Sequence, residues 1–239
     1  MNIAIFNEYV HEREVEHVRN IYPEGIHGLL AKVLSEGNTV RCFTIDNVEE
    51  LTDEVLRETD VLLWWGHTAH HRVPDEVAER VRDAVLRGMG FIPLHSAHHS
   101  KPFKLLMGTP CNLGWREKGD WERIWVCNPG HPIARGLGRF IELSHEEVYT
   151  EPFMIPEPDV LVFVGAYEGG EAFRSGCCYR RGYGKIFYFQ PGHETYPTFH
   201  NPDVQKVIKN AVEWAYPDYR GELECPHVPY VEVPSPDRE

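Results

Sequence analysis

The chain has 239 residues, with 24 Lys+Arg against 37 Asp+Glu and a formal net charge of −13. Hydrophobic residues are 42% and charged residues 26%, ordinary for a globular protein, which excludes collagen-like, disordered and coiled-coil classes. No Lys/Arg cluster supplies the basic footprint that nucleic acid or an anionic membrane surface needs, and no apolar run approaches the ~20 residues that span a bilayer.

In chain order, Ile3–Phe6 reads as a buried strand. Residues 23–36 carry Ile26, Leu29, Leu30, Val33 and Leu34 at helical spacing and stop at Gly37-Asn38. Thr39–Thr44 is a strand, and Asp46 is the expected cap of a short helix over 48–57. Val61–Trp65 is a wholly apolar strand. A helix follows, with Pro74 near its first turn, Val77, Val81, Ala84 and Val85 on its inner face, and Gly88 at its end. Phe91–Leu94 is a fourth strand. Residues 109–160 lose helical periodicity and read as an irregular β-rich excursion with a strand at Glu122–Cys127. Val160–Val164 starts another strand. Segments 171–181 and 185–190 read as a hairpin about Arg181-Gly182-Tyr183-Gly184. Asn201-Pro202 opens a last helix, and the proline-rich residues beyond 217 read as an extended arm on this or a neighbouring subunit.

Strands apolar on both faces, alternating with helices, predict a parallel sheet covered on both sides. Such sheets bind ligands at the carboxyl ends of their strands. Asn7, Glu8 and His11 follow the first strand, and Gly66, His67, His70 and His71 the third. His95, Ser96, His98 and His99 follow the fourth, and Gly192-His193-Glu194 a late one. Fourteen histidines, several clustered at strand ends, point to acid–base or metal chemistry. His67, His71, His95 and His193 are the candidate ligands of a divalent cation of the zinc, manganese, iron or nickel class.

Phe91–His98 has the outline of a nucleophile elbow, although Leu94 and His98 stand where G-x-S-x-G would have glycines. Either His95 or Ser96 occupies its tip. His95 then reads as a base, a ligand or a core histidine, and Ser96 as a nucleophile or a helix cap. Glu8, His193 and the Glu194 carboxylate complete the polar set, with Asn7, His98 and Glu194 as substrate contacts. Trp64, Trp65, Trp115, Trp121 and Trp125 divide between core and sugar-stacking platforms, with Trp65 nearest the expected edge. Glu12, Glu14 and Glu16 read as a solvated face, and His145–Tyr149 as surface. The N-terminus lacks a basic leader, and six cysteines form no CxxC pair, so reduced thiols and a cytoplasmic location are expected.

Several segments together carry a family likeness: Trp64-Trp65-Gly66-His67, Val73–Val77, Gly90–Ala97, His131–Leu137, Glu146-Glu147-Val148-Tyr149 and Gly192-His193-Glu194. Through them the chain resembles the ThuA-like, trehalose-utilisation proteins of the class I glutamine amidotransferase-like superfamily. The resemblance implies a flavodoxin-like, doubly wound and mostly parallel sheet over residues 1–216, with 109–160 as a β-rich insertion and 217–239 as a tail. It places His193 where amidotransferases carry their histidine, and adds Glu147 to the catalytic candidates. The elbow holds His95-Ser96 and no cysteine, so glutamine hydrolysis is not expected. The family's tie to disaccharide catabolism implies a sugar substrate, with a sugar oxidoreductase as functional partner. The acidic surface and the extended C-terminal arm point to a homo-oligomer. Lyase, hydrolase or isomerase chemistry on 3-keto glycosides suits a His/Glu-rich edge. A non-catalytic sugar-binding or regulatory domain is the alternative.

Overall fold

A computed structural model describes residues 1–224 and 229–232. Nine strands form one sheet in the order β2-β1-β3-β4-β9-β8-β7-β5-β6. Its parallel part is β1 (Asn2–Asn7), β2 (Thr39–Thr44), β3 (Val61–Trp65), β4 (Gly90–Leu94) and β9 (Gly184–Phe189). Alternation along each strand sorts its side chains onto two faces. Ile3, Ile5, Leu63, Trp65, Ile92 and Leu94 pack against α3 (Gly25–Leu34) and α7 (Pro202–Ala215). Ala4, Phe6, Leu62, Trp64 and Phe91 pack against α4 (Asp53–Glu58), α5 (Asp75–Leu86) and α6 (Lys101–Met107). Helices on both faces explain why β3 and β4 are apolar throughout: neither side of these strands meets water.

The β-rich excursion is more regular than its sequence indicates. β5 (Gly114–Val126) and β6 (Phe140–Thr150) form a long antiparallel hairpin. With β7 (Val160–Tyr167) and β8 (Ala172–Arg181) it extends the sheet beyond β9. Register shifts at Arg116/Asp120 and Asp120/Glu122 break the alternation of β5, which hides a 13-residue strand from pattern reading. The hairpin between β8 and β9 turns at Gly182-Tyr183, where Gly182 has φ +56°.

Smaller differences have local causes. α4 is capped by Thr52, whose hydroxyl accepts from Val55 N at 3.3 Å, and not by Asp46. Two short helices, α1 (His11–Glu14) and α2 (Glu16–Ile21), lie where no helix was expected. Glu12 is buried there, accepting from Asn7 Nδ2 at 2.6 Å and Ile26 N at 3.1 Å, so it is no solvated face. The start of the tail packs on this chain, with Gly221 N donating to Arg87 O at 3.0 Å and Arg220 to Thr59 O at 2.6 Å. Tyr230 and Val231 are exposed. The rest of the expected arm, 225–228 and 233–239, lies outside the described residues. The five cysteines among the described residues are free thiols, and no helix there is long and apolar enough to cross a membrane.

Close packing at the start of β9 gives a stability test. A Cβ on Gly184 would lie 2.1 Å from Val85 O. Gly184→Ala is therefore expected to cost about 1–3 kcal/mol and to lower the melting temperature by roughly 2–12 °C. Thermal unfolding followed by circular dichroism checks it, and an unchanged Tm contradicts the packing.

Candidate functional site

β4 ends at Leu94, and the chain turns sharply through a 3-10 segment, His95–His99, into α6. His95 sits at the tip with φ +51°, a conformation that costs a non-glycine residue about 1–3 kcal/mol. This is elbow geometry, and its tip is the histidine. Its surroundings hold the strained backbone. Nδ1 lies 2.8 Å from Gln190 O, so that nitrogen carries a proton and donates. The ring stacks on Tyr149 at 5.0 Å. Nε2 faces Glu147 Oε2 at 3.0 Å and the Tyr149 hydroxyl at 3.3 Å. Ser96 stands behind the tip, with its hydroxyl bonded to Tyr149 Oη at 2.8 Å. No histidine touches that hydroxyl, so the serine lacks the base a nucleophile requires. The helix cap is Ser100, which accepts from Phe103 N.

Strand alternation in β6 puts Glu147 and Tyr149 on the same side, toward His95, and makes Glu146 face the other way. All three are buried, contrary to the surface reading of this segment. Burial disfavours the charge on His95, but the adjoining Glu147 carboxylate outweighs it and raises the imidazole pKa. Burial likewise opposes the Glu147 charge, and His95, His193 and His67 pull its pKa below the usual carboxylate range.

A second group adjoins this pair. Glu194 is buried, and its Oε1 takes both His11 Nδ1 and, at 2.8 Å, His67 Nδ1. The two histidines overcome its burial and hold its pKa far down. The Glu194 contact, opposed by burial, raises the pKa of His11. His193 lies with its ring 5.0 Å from that of His67 and 5.3 Å from that of His95. Burial pushes its pKa down to about 4, so its imidazole is neutral near pH 7. The cluster opens to solvent on the His11–His67 side, where those side chains are 26% and 24% exposed.

Two sets of ligand atoms have spacing suited to a metal: His11, His67 and Glu194, and His67, Glu147 and His193, each within 4.8 Å of one another. His67 and His193 belong to the four-histidine set expected from sequence. His71 does not join them, because it is exposed on the 3-10 turn His70–Arg72. His95 falls outside both sets, being tied to Gln190 and facing Glu147.

Other expected site residues hold the loops in place. Glu8 accepts from Thr68 N at 2.8 Å, Thr68 Oγ1 at 3.1 Å and Ala69 N at 2.9 Å, which fixes the loop carrying His67. Asn7 spends its amide on Glu12, His27 and Tyr9 N. Trp65 lies in the core and donates Nε1–H to Gly192 O at 3.0 Å, so its indole has no face for a sugar. His98 donates Nδ1–H to Cys111 O at 2.7 Å among Tyr149, Phe153 and Tyr188, and burial drives its pKa well down. It is a core histidine.

The sequence reading leaves unassigned roles for His11, Glu117, Glu146 and Tyr149. Glu117 reaches within 3.9 Å of His193 Nε2 from the irregular part of β5. Glu146 accepts from Gly192 N at 3.0 Å, His193 N at 3.1 Å and Thr198 Oγ1 at 2.7 Å, and so shapes the loop that presents His193. The acidic-acidic-apolar-aromatic order of residues 146–149 was the available signal. It needed a strand assignment before its two faces could be separated.

A family model described as trehalose utilisation, ThuA, matches residues 2–215. No curated protein matches the chain in sequence. Among solved structures, the chain is similar to a protein described as ThuA-like from Parabacteroides merdae ATCC 43184. Identity is 14% and the TM-score 0.68, covering 90% of this chain and 88% of that one. It is also similar to a protein described as cytoplasmic from Salmonella typhimurium LT2, at 12% identity and TM-score 0.63, covering 90% and 100%. A Thermoplasma acidophilum protein described as part of a GMP synthase matches at 12% identity and TM-score 0.52, covering 89% and 92%. At these identities the likeness concerns the fold.

Proposed function

The chain belongs to the ThuA, trehalose-utilisation family, and from that premise we propose that it acts in sugar catabolism on 3-keto glycosides, by proton transfer centred on His95 and Glu147. The observation that carries this reading is the elbow histidine. Its Nδ1 is pinned on Gln190 O, so proton traffic runs through Nε2, which faces a buried carboxylate at 3.0 Å. A keto group at C3 acidifies the proton at C2. His95 Nε2 takes that proton, and Glu147 stabilises the imidazolium so formed. His193, whose Nδ1 accepts from Thr195 N and whose Nε2 therefore carries the hydrogen, donates to the developing enolate oxygen. The enolate then expels the glycosidic oxygen from C1, a C1=C2 bond forms, and the proton on His95 passes to the departing oxygen to give an alcohol. Return of the proton to the opposite face of C2 gives the epimer instead. Lyase and isomerase outcomes share this first step, and addition of water at C1 completes a net hydrolysis.

The site lacks what an amidotransferase needs, since the elbow tip is an imidazole with no thiol. The keto group requires an upstream sugar oxidoreductase, and a cytoplasmic setting suits that supply. The test is incubation of a 3-keto disaccharide with the protein in D2O. Deuterium incorporation at C2, with release of the second sugar or epimerisation, supports the reading. Sugar binding without exchange or turnover across keto and unoxidised disaccharides supports the second reading, a non-catalytic sugar-binding domain. That reading is favoured by the complete burial of His95.

A further inference from the structure

We propose that His67, His193 and Glu147 form a binding site for one divalent transition-metal ion, held by two imidazole nitrogens and one carboxylate oxygen. The proposal starts from a buried polar atom without a partner. His193 Nε2 makes no hydrogen bond, its side chain is only 2% exposed, and it faces Glu147 Oε2, the atom that also lies 3.0 Å from His95 Nε2. Unsatisfied buried polar atoms are rare, because each costs about 1–3 kcal/mol. Here the two face each other at 4.0 Å, too far for a hydrogen bond. Bonds of about 2.0–2.2 Å place neighbouring ligands on one ion roughly 3–3.5 Å apart, so this pair closes by about 0.5–1 Å as the ion enters.

The second contacts of the two rings add to this. His67 Nδ1 donates to Glu194 Oε1 at 2.8 Å, which leaves Nε2 of that ring as a lone pair. Metal-binding histidines show this carboxylate contact, which fixes ring orientation and raises ligand basicity. His193 Nδ1 accepts from Thr195 N at 3.3 Å and pairs with Thr195 Oγ1 at 2.8 Å, so the neutral ring keeps its hydrogen on Nε2. As the ion enters, that hydrogen leaves Nε2, as metal binding displaces protons from its ligands, and the Thr195 hydroxyl turns to accept from Nδ1. Glu194 acts as a positioning residue, and Glu8 fixes the loop behind His67.

Two imidazoles and one carboxylate suit zinc, iron(II), manganese(II) or nickel(II) and leave coordination positions open for an oxygen ligand. The site differs from a four-histidine set in taking Glu147 and omitting His71 and His95. It binds its ion independently of the substrate class proposed above.

The experiment uses untagged protein freed of metal by chelation, then titrated with Zn²⁺, Mn²⁺, Fe²⁺ and Ni²⁺ singly. Bound metal is counted by inductively coupled plasma mass spectrometry, and thermal unfolding is recorded with and without ion. The expected result is one equivalent of at least one ion per chain, with Tm raised by binding. Affinity should fall at least tenfold in Glu147→Gln and His67→Ala, and His71→Ala should bind like wild type. Glu147→Gln keeps the side-chain volume, and its unfolding curve without metal reports whether it folds. Failure of wild type to bind any of the four ions at stoichiometric level overturns the site, as does unchanged affinity in both Glu147→Gln and His67→Ala. Sugar turnover does not enter either criterion.

Discussion

Replacing His95 with asparagine is expected to lower kcat for a 3-keto glycoside by about 10²–10⁴-fold, the usual worth of a positioned proton-transfer group. KM should change far less. Asparagine is the informative substitution because it tolerates the positive φ at this position better than most residues. His95 has φ +51°, so alanine would keep the backbone strain and also open a cavity. The asparagine amide can still donate to Gln190 O, the partner that His95 Nδ1 holds at 2.8 Å. It cannot carry a proton between C2 and the departing oxygen. Exchange of the C2 proton with D2O should stop along with turnover, while melting stays close to wild type. Retained exchange with lost product release would move His95 from the deprotonation step to the protonation of the leaving oxygen. Unchanged kcat would remove it from the chemistry, and with it the reading built on the elbow.

The parallel half of the fold was legible because burial on both faces writes itself as uninterrupted apolar runs. Val61–Trp65 and Gly90–Leu94 are entirely buried strands at the positions expected. The convergence of polar loops at their carboxyl ends was legible for the same reason: the topology dictates where Glu8, His67, His95 and His193 emerge. What the loops do with those residues was not. Glu8 and Asn7 are spent on backbone and neighbouring side chains, and Trp65 is consumed by the core. Type and spacing alone cannot distinguish a carboxylate that holds a loop from one that faces a substrate. The other half of the site comes from β6, which lies three strands beyond β8 in the sheet. The register shifts in β5 hide the hairpin that brings Glu147 and Tyr149 onto His95. A long-range pairing of that kind leaves little trace in local periodicity.

Glu146→Ala is expected to be among the most destabilising single substitutions in this chain. The carboxylate is completely buried. It accepts from Glu147 N at 2.9 Å, Gly192 N at 3.0 Å, His193 N at 3.1 Å and Thr198 Oγ1 at 2.7 Å. Burial raises its pKa, and these donors together with His95 work the other way. Alanine would leave four buried donors without an acceptor. Because each orphan costs about 1–3 kcal/mol and the loop can relax in part, a net loss of about 3–5 kcal/mol follows. For a chain of this size that lowers Tm by roughly 6–20 °C. Glu146→Gln separates acceptor from charge. Its amide oxygen can serve one pair of donors, while its NH2 meets the other pair head-on, so Tm should fall between wild type and the alanine variant. The same series reads out the site, because Glu146 fixes the backbone amide of His193. Metal affinity should weaken in parallel with Tm across Gln and Ala, although the Glu146 side chain belongs to neither metal-spaced set. An alanine variant that melts within about 2 °C of wild type would show that the 192–198 loop finds its shape without this carboxylate. The placement of His193 would then have to come from Trp65 holding Gly192 O and from Thr195 holding the imidazole.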